Sequence, residues 1–423
     1  MSFDALPHQN QRIAVIGGGV SGMAAAYALG GAHQVTLFEA EPRLGGHART
    51  VMAGLRGDQP VDTGFIVFNY INYPHLTRMF QDLDVPVVES DMSFGVTVDN
   101  GRVEYGLRDL QALTGQRRNL MRPRYLQMVR DIFRFNRDAE SAARPGMNID
   151  ELSKALNLGP WFRNYYLMPI CGAVWSTPTQ NIGDFPAETL VRFFRNHALL
   201  GTRQHQWWTV KGGSIEYVIR LEAHLRALGV EMALGQPVQT VRRRGLESDV
   251  IVNGQVQTFD HVIFACHSDD AMRLLERPTA QEQQIIGSIA YQDNQVILHR
   301  DPAQMPKRKA CWSSWVYKAE ADRENPKIGV TYWMNRLQRI DPADPLFVTL
   351  NPSTPVREEM IYDQVTFRHP VFDQGAIDAQ TRLMDLQGSN NTWFAGAYTR
   401  NGFHEDGFAS GMRVARLLDR QHA

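Results

Sequence analysis

The sequence predicts an α/β protein in which a parallel-sheet domain is cut into pieces and interleaved with an α+β domain. Three observations predict it. A strand, a glycine turn, a helix and a second strand open the pattern at "RIAVIGGGVSGMAAAYALG" and "QVTLFEA". Helical periodicity then dominates from about His75 to Trp208. Strand and turn signals return after that and run to a final strand and helix. At 423 residues the chain exceeds one ordinary core, so two or three domains are expected.

The elements follow in order. Ile13 to Ile16 is a short apolar run of the kind a buried parallel strand shows. Glycines punctuate the turn, "MAAAYAL" favours helix, and Gln34–Ala40 reads as the second strand, which completes a β-α-β unit. In "YLQMVRDIFRFNRDAE" the apolar residues Leu126, Val129, Ile132 and Phe133 recur at helical spacing between basic positions. Asn148 and Glu151 have the spacing of a capping box. Asn253-Gly254 sits between two alternating runs and signals a hairpin. The organisation read from this places one domain on residues 1–75, 206–270 and 386–423, a helical insertion on 76–205, and a strand-rich segment on 271–385.

Composition excludes several classes. The formal net charge of −1 gives no global basic field, so no nucleic-acid partner is expected. The three cysteines, Cys171, Cys266 and Cys311, are far apart and form no CxxC, which argues against a disulfide scaffold or zinc ribbon. No metal is expected. The N-terminus lacks an apolar leader core, and no run approaches a membrane span. The expectation is a cytoplasmic protein, with peripheral contact to the inner face of the cell membrane left open.

Gly17, Gly19 and Gly22 fit G-x-G-x-x-G between a strand and a helix. The first glycine permits a tight turn, the second lets backbone approach a pyrophosphate, and the third lets helix and strand pack closely. The helix N-terminus attracts the phosphates. Glu39 ends the second strand, where an acid accepts hydrogen bonds from a ribose 2′-hydroxyl and repels a 2′-phosphate.

After this fingerprint, "EAEPRLGGHART", "VDTGF", "VKGGSIEYVIRLEAHL", "VQTV", "FDHVIFAC" and "FAGAYTRNGFHEDGFASG" resemble segments of the flavin amine oxidase and phytoene desaturase superfamily. The resemblance implies a discontinuous Rossmann-like FAD-binding domain of glutathione-reductase type and non-covalent FAD. It implies that Gly17, Gly19, Val20, Ser21, Gly22, Glu39 and Ala40 surround the cofactor, with Gly45, Gly46, His47, Thr63, Gly64, Phe65, Val238, Gly396, Phe403 and His404. It puts the N-terminus of a helix beginning near Asp406 at the flavin edge that becomes anionic on reduction, where a helix dipole is favourable. Two residues depart from the family pattern: Ala397 stands where many members keep an acid, and His47 where amine oxidases keep arginine. "YYLMPICGAVWSTP", "HPVF" and "GFHEDGFASG" further resemble bacterial FAD-binding proteins akin to the N-terminal part of plant cyclopropane fatty acid synthases.

His404 is the one catalytic candidate, and Tyr398, Phe403, Trp315 and Trp175 are candidates for the substrate pocket. His404, Glu405 and Asp406 as a metal cluster is the rival reading, disfavoured because adjacent residues on a short loop rarely converge on one ion. From Gln116 to Arg144 eight arginines face three acids, interleaved with apolar residues. Such a helix lies either on an anionic membrane or with its apolar face in the core. Three functions remain open. The first is desaturation or isomerisation of a lipid acyl chain, with a lipid methyltransferase or cyclopropane synthase as partner. The second is oxidation of an amine in an aromatic cage drawn from Trp312, Trp315, Tyr332, Trp333, Tyr398 and Phe403. The third is a non-catalytic, FAD-stabilised accessory to a lipid-modifying enzyme.

Overall fold

The computed structural model describes residues 10–175, 183–196, 200, 205–319 and 329–421. Five parallel strands form one sheet, in the spatial order Glu231–Leu234, Gln34–Glu39, Arg12–Ile16, His261–Phe264, Thr392–Phe394. Ile13 pairs with Val35 on one side and His261 on the other, so three distant stretches of chain meet here. Ile13 to Ile16 are all buried, which is why this strand reads as unbroken apolar sequence. The chain order reverses on either side of Arg12–Ile16. The crevice at the carboxyl ends of such strands is where open α/β sheets bind ligands.

The helix Val20–Leu29 follows the first strand, and the last helix, His404–Gln421, packs closely on it. A Cβ on Gly411 would lie 2.2 Å from the Ser21 carbonyl oxygen, so glycine is what permits the approach.

A second, seven-stranded mixed sheet contains Ile361–Pro370, Tyr291–His299, Phe347–Leu350, Gly329–Trp333, Trp315–Ala319, Phe94–Val98 and Val103–Gly106 in spatial order. The last two strands come from the stretch read as helical. Val87–Ser90 from the same stretch joins a smaller sheet with Trp207–Val210. The helical reading fails over residues 87–106 because the turn chemistry at Asp99, Asn100 and Gly101 decides the conformation. All three have positive φ (48°, 52° and 88°), and they close a hairpin between β-branched runs. Phe94–Val98 then pairs in parallel with Trp315–Ala319, tying the two stretches together.

Other local expectations hold. Asn148 and Glu151 form the capping box, with each side chain accepting from the other residue's N–H at 2.8 and 2.9 Å. Asn253 and Gly254 take positive φ in the hairpin that joins Glu247–Val252 to Gln255–Phe259. The helix over Pro123–Ala142 is present, but its buried face is Tyr125, Met128, Ile132, Phe135 and Ala139. Leu126 and Phe133 point outward. The segment carries two apolar stripes, and only one fits the core.

The expected basic face is also partly spent on structure. Arg118 donates to the carbonyls of Gly101 and Arg102, and Arg122 to Arg102 and Asn119. These two guanidiniums brace the 99–102 turn. Arg134 likewise donates to the carbonyls of Leu156 and Asn157.

Candidate functional site

The turn after the first strand is built by glycine. Gly17 has φ 112°, and a Cβ there would lie 2.8 Å from the Ala265 carbonyl oxygen. A Cβ on Gly22 would lie 1.8 Å from the Gly17 carbonyl oxygen. A Cβ on Gly19 would meet nothing within 4 Å. The first two glycines therefore serve the fold, and the third keeps open space beside the helix start. The helix Val20–Leu29 begins without a side-chain cap or an acid in its first turn. Its first N–H groups lack intrahelical partners, as in any helix. Glu39 closes the second strand, with one carboxylate oxygen accepting from the Gly18 N–H at 2.6 Å and the other from the Glu41 N–H at 2.9 Å.

A cavity of about 1800 Å³ runs from this turn between the two sheets. That exceeds the ~300–1,000 Å³ of ordinary small-molecule pockets. Gly17, Gly19, Val20, Ser21, Glu39 and Ala40 line one end. Gly45, Gly46, His47, Thr63, Gly64, Phe65 and Val238 line its sides, and Gly396, Ala397, Tyr398, Phe403 and His404 come from the C-terminal segment. Trp315 lies in the far part. Gly22 is tucked behind the turn rather than at the cavity wall. Trp175 ends the helix Met168–Trp175, and its side chain lies outside the described residues.

The last helix starts at His404, two residues before the expected start. Its three leading side chains diverge. His404 stacks on Phe65, with ring centroids 4.0 Å apart, and its Nε2 meets the Tyr217 hydroxyl at 2.6 Å. Glu405 turns away to accept the N–H groups of His75 and Leu76, both at 2.9 Å, and so caps the helix Pro74–Asp82. Asp406 accepts the N–H groups of Asn401 and Phe403, which fixes the loop before the helix. Burial raises the Glu405 carboxyl to about 7. His267, Asp269 and Asp270 do lie close enough to share an ion, but both aspartates are ion-paired with Arg368, and Asp270 with Arg273 as well.

Imidazoles around the cavity are held neutral. Burial, then the neighbouring His267, lowers His47 to about 4, and burial lowers His267 to about 4. Burial, then His47, lowers both His369 and His404 to about 3. Burial raises the thiol of Cys266, which lines the cavity, to about 12, so it is a poor nucleophile.

Beyond Phe403 the cavity is walled by Ile132, Tyr166, Ile170, Trp207, Val296 and Tyr332, none of which residue spacing singled out together. Trp315 and Tyr332 meet edge to face at 5.0 Å. Trp312 and Trp333 do not join them. They pack on each other and on Phe347 in a separate cluster, and the Trp312 indole N–H donates to the Pro306 carbonyl. The proposed six-residue cage is thus split: alternation along Gly329–Trp333 sends Tyr332 and Trp333 to opposite faces, and Trp312 lies before the strand Trp315–Ala319. The cavity reaches the surface at Leu110 and Phe133, which line it while remaining 78% and 62% exposed. Arg108 and Arg137 flank that opening. Among the described residues no helix is long and apolar enough to cross a membrane.

Comparison with known proteins identifies a family and a shared fold. Residues 20–314 match the family model described as flavin containing amine oxidoreductase. Cyclohexylamine oxidase from Brevibacterium oxydans IH-35A superposes with a TM-score of 0.69 at 15% identity, covering 97% of this chain and 99% of that one. A CLA-producing fatty acid isomerase from P. acnes superposes with a TM-score of 0.66 at 15% identity, over 98% and 99% of the two chains. An L-amino-acid oxidase of Sistrurus catenatus edwardsii is 54% identical over 41 residues, which are 10% of this chain and 8% of that protein. At such low overall identity the two structures establish a shared fold, and their substrates remain their own.

Proposed function

The chain belongs to the flavin-containing amine oxidoreductase family and is an FAD-dependent oxidoreductase; we propose that its substrate is a lipid acyl chain, which it desaturates or isomerises. The residues present fit FAD. The uncapped helix start at Val20 and the bare Cα of Gly19 suit a pyrophosphate, and Glu39 suits a ribose hydroxyl. His47 Nε2 and the Tyr398 hydroxyl are buried without a protein partner among the described residues, so each has a hydrogen bond to offer. Ala397 leaves this cradle one acid short of many family members, yet it still lines the wall. When bound, FAD supplies a hydride acceptor, and the protein supplies position and electrostatics.

The observation that carries the lipid reading is the shape and polarity of the cavity beyond the cofactor residues. It is long and apolar, and it opens between exposed Leu110 and Phe133 with Arg108 and Arg137 at the rim. Such a passage takes an acyl chain inward and leaves its polar head at a rim where Arg108 and Arg137 are paired with Asp109 and Asp138. Its apolar walls exclude water from the reacting carbons. His404 stays neutral and bonded to Tyr217, so its role is to hold Phe65 and the helix start in place. Met121, 81% exposed, and the exposed Arg117 and Arg124 of the same arginine-rich stretch offer a face suited to an anionic membrane surface. A partner that methylates or cyclopropanates acyl chains would present substrate at such a face. The fatty acid isomerase that shares the fold is consistent with this reading.

The Trp315–Tyr332 pair favours a second reading, in which aromatic faces orient an amine. Anaerobic titration of the holoprotein with unsaturated fatty acids and with mono- and polyamines separates the two. Flavin bleaching or a conjugated or desaturated acyl product supports the first. Bleaching by amines alone overturns it.

A further inference from the structure

We propose that a second cleft, behind the flavin loop, is a binding site for a phosphate-bearing small molecule. This cleft has a volume of about 530 Å³. Arg192, Arg400, Arg413, Arg416, Arg420 and His75 line it. Arg413, Arg416 and Arg420 lie at i, i+3 and i+7 on the last helix, so they form one row ~10 Å long. Arg192 faces them from the helix Ala187–Asn196, and Arg400 from the loop before the last helix.

The charge in this cleft is not balanced from within. Among the described residues, Arg192, Arg413, Arg416 and Arg420 have no carboxylate within ion-pair distance. Other surface arginines do: Arg78 with Asp82, Arg226 with Glu222, and Arg242 with Glu276. Among the described residues, the only acids lining the cleft are Glu405 and Asp406. Glu405 already accepts two backbone N–H groups, from His75 and Leu76, and Asp406 two more, from Asn401 and Phe403. Five guanidiniums around one concavity repel each other unless an anion sits between them. Their planar forks match phosphate oxygens.

Shape selects the class of ligand. A concave site of this volume falls in the ~300–1,000 Å³ range of small-molecule pockets. A protein partner would need a flatter face of roughly 800 Å². The chain's net charge of −1 offers no wider field for nucleic acid.

The cleft is also placed to influence the flavin cavity. Tyr73, Asn401 and Phe403 line both spaces, so one layer of side chains divides them. Arg400 lies 4.0 Å from Asp406, whose carboxylate fixes the N–H groups of Asn401 and Phe403. An anion that draws Arg400 outward loosens that tether and moves the loop against the flavin.

The test uses the FAD-loaded protein and two phosphate sources. Calorimetric titration with inorganic pyrophosphate at low salt is expected to show saturable one-to-one binding. The affinity falls at least ten-fold in Arg413→Ala/Arg416→Ala, and Arg226→Ala, remote from the cleft, leaves it unchanged. The flavin difference spectrum that accompanies binding disappears in the double variant. Sedimentation with phosphatidate-containing vesicles forms the second arm. Vesicle binding that requires Arg413 and Arg416, without pyrophosphate binding, keeps the phosphate site and assigns it to a lipid headgroup. Binding of neither source, equal binding by the double variant, or binding of polyglutamate in their place overturns the proposal. Calorimetry reads this site whether the substrate is a lipid or an amine, so its failure and that of the acyl-chain reading are distinguishable.

Discussion

The His404 imidazole lies flat on the Phe65 ring, 4.0 Å between centroids and 10° from parallel. The pair joins a loop near the start of the chain to the first residue of its last helix, and Tyr217 locks it from a third direction. The imidazole is half-buried at the cavity wall and stays neutral, lowered to about 3 by burial. In the unfolded chain it takes up a proton near 6.5. Between those values the unfolded state binds more protons, so the histidine's contribution to stability falls as pH falls from 6.5. Buried Asp62 and Glu405, raised to about 6 and about 7, act in the opposite sense over part of that range. A difference measurement isolates His404. Urea unfolding of the wild type and of His404→Gln is expected to diverge from pH 6.5 to 4.5, the wild type losing up to about 1.4 kcal/mol more per pH unit. Parallel curves would refute the neutral, buried imidazole.

Much of this cradle was legible in sequence, because phosphate binding demands residues with little freedom of choice. Gly17 and Gly22 sit where a Cβ would meet backbone, Gly19 faces open space, and Glu39 closes the second strand beside the turn, an arrangement that the G-x-G-x-x-G spacing anticipates. The C-terminal segment was legible as a helix start beside glycine, but not the fates of its charged side chains. Glu405 bonds N–H groups some 330 residues away, and no local pattern encodes that. The hairpin at 94–106 carries a local turn signal at 99–101, but the parallel pairing of Phe94–Val98 with Trp315–Ala319, more than 200 residues on, has no local signature. Tyr332 and Trp333 were grouped as aromatic residues, whereas strand alternation sends them to different clusters.

The glycines of the fingerprint make separable predictions. A methyl group on Gly22 collides with the Gly17 carbonyl, so Gly22→Ala should distort the turn and destabilise even the apoprotein, by about 2 kcal/mol or more. A methyl group on Gly19 meets only open space. Gly19→Ala should leave apoprotein melting within about 2 °C of wild type while weakening FAD binding at least ten-fold, because the methyl occupies room the pyrophosphate needs. Thermal melts and flavin absorbance per protein, with and without added FAD, check both.

Asp62 is the buried node that joins the first hairpin to the later chain. Its carboxylate accepts the Thr50 hydroxyl at 2.6 Å, the Ser214 N–H and hydroxyl at 2.8 Å, and the Gln338 amide at 2.8 Å. Asp62→Ala strands all of these donors in the interior. Each unsatisfied buried group costs about 1–3 kcal/mol, part of which relaxation recovers. A loss of about 3 kcal/mol is expected from denaturant unfolding, with Asp62→Asn, which keeps one acceptor oxygen, losing less. Equal loss in both variants would mean that packing, not hydrogen bonding, makes the node.

The mouth of the cavity offers the sharpest separation of substrate from fold. Phe133 and Leu110 are 62% and 78% exposed and contribute little to the core. Replacing either by aspartate should therefore change stability by no more than about 0.5 kcal/mol. Both side chains line the opening, and Arg137 beside them is already paired with Asp138. An acyl chain must pass an apolar rim that the aspartates now hydrate and charge. Leu110→Asp/Phe133→Asp is thus expected to weaken fatty-acid binding at least ten-fold, read as the perturbation of the flavin spectrum during titration. Binding of a short amine, which needs no apolar rim, should change less than two-fold. An unchanged fatty-acid titration beside an intact flavin spectrum would place substrate entry elsewhere and remove the main physical support for a lipid substrate.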